Sequence, residues 1–149
     1  VTMREAEGNN LKDDLFMHLK ILEGYVEKIA ELGPEIVECY RERLQKTLAE
    51  LLEAKEIDPA RVIQEVAIYA DKVNYTEEIV RLRSHFEQFR RILAEASEPV
   101  GRKLDFLIQE MNREVNTAAS KANNTQAIQT AVEMKSEIEK LREQIQNIE

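Results

Sequence analysis

A chain of 149 residues with 43% hydrophobic but only 5% aromatic residues has enough apolar content for one core and too few rings to fill it, so a core of leucine, isoleucine and alanine is implied. Four Gly, three Pro and 34% charged residues set among strong helix formers leave strands nowhere obvious to form, and the net charge of −8 excludes a uniformly basic nucleic-acid binder. Cys39 is the single cysteine, which excludes an internal disulfide and a cysteine-based metal knuckle and makes a reducing cytoplasm the expected home. No window approaches the roughly 20 apolar residues that span a bilayer, and the first residues lack a secretory pattern, so a soluble chain with no membrane partner is expected.

Leu11, Leu15, Leu22, Val26 and Ile29 share one helical face and predict a first helix from about Glu5 to Leu32, which Gly33-Pro34 should stop while starting the next. Ile36, Cys39, Tyr40, Leu44, Leu48 and Leu51 repeat the period in a second helix that fades near Lys55. Asp58-Pro59 reads as a cap followed by proline at the first helical position, opening a short third helix with Val62, Val66, Ile68 and Tyr69. Thr76 caps a fourth, where Ile79, Leu82, Phe86, Phe89 and Leu93 recur at helical spacing. Ser97-Glu98-Pro99 opens a fifth, with Val100, Leu104, Ile108, Met111 and Val115 as its buried stripe and an end near Ala119.

The polar stretch Ser120 to Thr125 reads as a turn before a sixth helix to Glu149. There Ala127, Ala131, Met134, Ile138, Leu141, Ile145 and Ile148 recur with a period of about 3.5 residues, a coiled-coil-like seam for a long helix of the same chain or of another subunit. Short connections favour antiparallel neighbours. The expected fold is one all-α domain of about six antiparallel helices, in a bundle or an elongated array.

Charge is unevenly spread. From Ile79 to Ala122 eight Lys and Arg face six acids, a net +2 in a chain of −8, and screening within about 10 Å lets such a region meet a polyanion despite the overall sign. On the fifth helix Lys103, Glu110, Glu114 and Thr117 fall in one row beside the apolar stripe, with Arg113 and Arg102 further round. Glu110 and Glu114 repel at this i, i+4 spacing, so the pair makes most sense with a cation or basic side chain between them. Glu78 and His85 share a flank of the fourth helix near Arg81, and Glu133 and Glu137 line one side of the sixth. Three helices could thus aim carboxylates and one imidazole into a common groove, an oxygen-rich set that suits Mg²⁺ or Mn²⁺ better than zinc. The competing reading is that these glutamates are solvated and the arginines pair with neighbouring acids. No Gly-rich phosphate loop or GxSxG elbow is present, and Phe106, nearer the polar side of its helix, is expected at the edge of the core.

EPVGRKLDFLIQEMNREVNT (Glu98 to Thr117), SKAN (Ser120 to Asn123) and VEMKSEIEKLREQIQNIE (Val132 to Glu149), with RLRSHFEQFR (Arg81 to Arg90) upstream, resemble the C-terminal region of the bacterial YicC-like family. Weaker similarity reaches Glu7-Gly8, so nearly the whole chain is covered. The resemblance implies a cytoplasmic, metal-dependent endoribonuclease acting on RNA, small regulatory RNA included, that assembles as a homo-oligomer, a hexamer in the family. It also implies that the single helical domain of residues 1–149, beginning with Val1, is the C-terminal half of a longer protein. His85, Arg81, Arg102, Lys103, Glu110, Arg113, Glu114, Ser120, Lys121 and Glu133 occupy matching positions, whereas Ala118 replaces a larger aliphatic residue and Gln126 a glutamate.

Three expectations follow. In the first, His85, Glu110 and Glu114 are catalytic, those three with Glu133 hold a divalent cation (Mn²⁺ or Mg²⁺), and Arg81, Arg102, Lys103, Arg113 and Lys121 bind RNA phosphates. In the second, the chain is an oligomerisation and RNA-clamping module without catalysis of its own. In the third, the polar row is a salt-bridge network between helices.

Overall fold

A computed structural model describes residues 2–52, 56–95 and 101–147. Among them the chain forms five helices and no strand: α1 (Thr2–Leu52), α2 (Pro59–Lys72), α3 (Thr76–Glu95), α4 (Gly101–Ala122) and α5 (Thr125–Gln146). α1, α3, α4 and α5 make a ring, each packed on the next, with α5 closing back onto α1. Cross-helix pairs show the directions: Glu27 meets Arg83 and Glu23 meets Arg90 between α1 and α3, while Glu78 meets Lys121 and Arg81 meets Glu114 between α3 and α4. In each set one number rises as the other falls, so neighbours are antiparallel and the ring is a four-helix bundle. Leu15, Leu19, Leu22, Leu82, Phe86, Phe89, Leu104, Ile108, Met111, Met134 and Ile138 are almost wholly withdrawn from water at its centre.

Six helices become five because the break expected at Gly33-Pro34 does not occur. α1 runs through Pro34 as one helix of 51 residues. Proline in a helix interior removes the donor to the carbonyl four residues back, here Ala30, and costs stability. Beside that carbonyl the Tyr75 hydroxyl donates to Ile29 O at 2.5 Å, and Tyr75 itself is buried. Tertiary packing on both sides of the proline thus overrides the local stop signal.

α2 packs chiefly on α1, while Ile36 and Val37, just past Pro34, still pack with the main core. The second-helix stripe is correspondingly half realised: Ile36 is buried, whereas Cys39 is exposed and Leu51 lies 74% open. Tyr40 stacks on Tyr69 with ring centroids 3.7 Å apart, and Val62 is the one buried residue of α2. Asp58 caps α2 as expected, its carboxylate accepting from Ala60 N at 3.0 Å with Pro59 at the first position. At α3 the cap is displaced: Asn74 Oδ1, not Thr76, accepts from the Thr76 amide and hydroxyl.

The Ser97-Glu98-Pro99 opening and Ile148 lie outside the described residues. α4 persists to Ala122, so the turn shrinks to Asn123, at φ 45°, and Asn124, whose side chain caps α5 by accepting from Ala127 N. Ala127, Ala131, Met134, Ile138, Leu141 and Ile145 are all buried, covered by α4 and α1 of the same chain.

Candidate functional site

The seam between α3 and α4 gathers most of the polar residues singled out above. α3 packs through Ile79, Leu82, Phe86 and Phe89, and this register leaves Glu78, Arg81 and His85 along its α4 side. α4 packs through Leu104, Ile108, Met111 and Val115, which turns Glu110, Glu114 and Thr117 toward α3. Because the helices are antiparallel, the residues meet as successive rungs. Glu78 accepts from Lys121 Nζ at 2.6 Å, and Arg81 reaches Glu114 at 3.4 Å while also donating to Glu77 at 3.0 Å. His85 stands with Glu110 and Glu114 in a group whose ligand atoms all lie within 4.8 Å of one another.

This last group has a donor set fit for a divalent cation. Both ring nitrogens of His85 are shielded from solvent and lack a hydrogen-bond partner among the described residues. A buried imidazole without a partner forfeits stability, and a metal ion is one of the few ligands that would satisfy it beside two carboxylates. Glu114 is buried and Glu110 half-buried, so the group reaches solvent through Glu110. The mouth is a polar recess of about 410 Å³ lined by Arg81, Glu110, Arg113, Glu114 and Thr117. Two oxygens and one nitrogen match the preferences of Mn²⁺ and, less fully, Mg²⁺.

The remaining predicted residues are spread unequally. Arg113 is exposed on the recess rim, and Lys121 is half-exposed at the last turn of α4. Arg102 and Lys103 are exposed in the first turn of α4, so Lys103 and Lys121 lie about 10 Å to either side of the carboxylate pair along the helix. Ser120 is exposed near Lys121.

Glu133 does not join the group. It faces Tyr25 across the α1/α5 seam, where hydrogen bonding to Glu133, then burial and the nearby charges of Glu133 and Glu137, hold the Tyr25 phenol above its ordinary value. α5 borders α4 and α1, so carboxylates on its α1 side cannot turn into the α3/α4 groove. A helical projection gives the flank of a residue but not which neighbour that flank meets. The same seam pairs His18 with the buried Glu137, a contact that sequence alone left unassigned. Glu78 is also more than a flank residue: at 2% exposure it is sunk beneath Lys121. Phe106, expected at the core edge, is 60% exposed.

Residues 29–149 match the family model described as endoribonuclease YicC-like, C-terminal. Across 148 residues the chain is 49% identical to a protein of Clostridioides difficile (strain 630) named probable endoribonuclease YicC, covering 99% of this chain and 50% of that one. A protein of Haemophilus influenzae (strain ATCC 51907 / DSM 11121 / KW20 / Rd) with the same name is 39% identical over 149 residues, covering 100% of this chain and 51% of the relative. The chain spans about half the length of the curated relatives it matches. With a family model over most of its length and the motifs of the α3/α4 groove inside the matched region, the chain belongs to the YicC-like endoribonuclease family, in its C-terminal domain.

Proposed function

We propose that this chain supplies the catalytic groove of a metal-dependent endoribonuclease. The observation that carries the reading is the His85, Glu110 and Glu114 group, whose imidazole has no hydrogen-bond partner among the described residues, in a recess edged by arginine. His85, Glu110 and Glu114 would hold the Mn²⁺ or Mg²⁺ ion. A cation of this kind supplies positive charge beside a phosphodiester whose own charge grows during cleavage. Arg81 and Arg113 grip phosphate at the recess, and Lys121, Arg102 and Lys103 hold the flanking backbone. Glu110, the carboxylate of the group nearest solvent, takes the proton from the attacking oxygen, whether that is water or the RNA 2′-hydroxyl. The family resemblance supports a cytoplasmic homo-oligomer, a hexamer, acting on small regulatory RNA among its substrates, and the 3.5-residue step of α5 supports coiled-coil-like packing along that helix.

The alternative to test against it is an oligomerising RNA clamp without catalysis of its own. One assay separates the two. Structured end-labelled RNA is incubated with this chain and, separately, with a full-length relative, with Mn²⁺ or with chelator. Mn²⁺-dependent cleavage by this chain that disappears in Glu110→Gln and His85→Ala, with RNA binding retained, is the expected result. Cleavage by the full-length protein alone favours the clamp, and full activity in both variants discards the site.

A further inference from the structure

The Arg81 side chain is half-exposed and divided between two carboxylates of opposite character. Its Nη2 donates at 3.0 Å to Glu77, one turn back on α3 and 77% exposed. Its Nη1 lies 3.4 Å from Glu114, whose side chain is 7% exposed and which also belongs to the His85 and Glu110 group. The contact to Glu114 is at the long, weak end of hydrogen-bond geometry. Glu114 is therefore claimed twice, by the guanidinium and by the position a cation would take. One carboxylate cannot give its full charge to both. We propose that Arg81 is an exchangeable counter-ion: it neutralises Glu114 while the divalent cation is absent, and is released toward the RNA phosphate when the cation binds, so that metal and RNA bind cooperatively.

The inference rests on the proposed metal site and adds a regulation of it. Glu77 supplies the second foothold, because it keeps the released guanidinium at the mouth of the recess instead of letting it swing into bulk water. Coupling of this kind is reciprocal: RNA that captures Arg81 leaves Glu114 free and raises affinity for the cation by the same factor. A structural brace behaves differently, since removing it weakens both ligands.

The test uses this chain, Mn²⁺ alone, and a nuclease-resistant 2′-O-methyl oligonucleotide, in wild type, Arg81→Gln, Arg81→Lys and Glu114→Gln. Calorimetric titration of Mn²⁺ without RNA should show Arg81→Gln binding about three- to fivefold more tightly than wild type, the size expected for removing a half-exposed competing ion pair. The oligonucleotide should bind Arg81→Gln more weakly, with the salt slope reduced by about 0.7, and the deficit should be larger in Mn²⁺ than in chelator. Arg81→Lys should restore the slope. Unchanged or weaker Mn²⁺ binding in Arg81→Gln overturns the counter-ion role while leaving the site intact. No Mn²⁺ binding by wild type, or undiminished binding by Glu114→Gln, overturns both the role and the site.

Discussion

Glu78, Glu114 and Glu137 are sunk into the bundle at 2%, 5% and 6% exposure, and each lies against a base or an imidazole: Lys121, Arg81 and His18. A buried carboxylate is tolerated only with such a partner, so removing the partner costs more than the pair contributes. Replacing Lys121 by Met should destabilise the fold by on the order of 2 kcal/mol, less than for a fully buried pair because Lys121 is itself half in water. The double variant Glu78→Leu with Lys121→Met should recover most of the loss in urea melts, and failure to recover would show that Glu78 is stabilised by something other than the lysine. Tyr75 allows a second check. Burial holds its phenol above the ordinary value of 10.0, so its stabilising effect is complete below that pH and is lost as pH rises through the elevated folded value. Tyr75→Phe should cost about 1 kcal/mol at pH 7, the worth of the hydroxyl bond to Ile29 O, and the gap to wild type should narrow above pH 10.

At the level of helices, the apolar periods were legible and the joints were not. Ile79, Leu82, Phe86, Phe89 and Leu93 are buried as their spacing predicts, because an amphipathic stripe has only one way to leave water. Gly33-Pro34 misled because a local stop signal is worth a few kcal/mol, and contacts contributed by distant residues such as Tyr75 can offset it. The turn after α4 begins three residues later than the sequence predicts, because Ser120 and Lys121 have loop-like polarity yet continue the helix, the lysine tied to Glu78. Asn123 does the turning, in a left-handed conformation that penalises branched side chains. Asn123→Gly should leave stability within about 0.5 kcal/mol, whereas Asn123→Val should lower it by about 1–2 kcal/mol in thermal melts.

Across the whole molecule, two packing units differ in depth. The ring of α1, α3, α4 and α5 buries nearly all the core, while α2 rests on the outer part of α1 with Leu51, Ile63 and Ile68 open to water. Hydrogen exchange should find α2 opening well before α3, α4 and α5, and equal protection would mean that the projecting pair is covered in solution. The candidate site was legible to the extent that it lay on adjacent helices: His85, Glu110 and Glu114 meet, but Glu133 does not, since nothing in one sequence says which helices become neighbours. α1 belongs to both units. A rod of 51 residues, about 75 Å long, is one stave of the barrel at one end and the handle at the other. Pro34 sits where the handle meets the stave, next to the point at which the Tyr75 hydroxyl ties the rod to the start of α3, so the outer unit is anchored directly to the helix that carries Arg81 and His85.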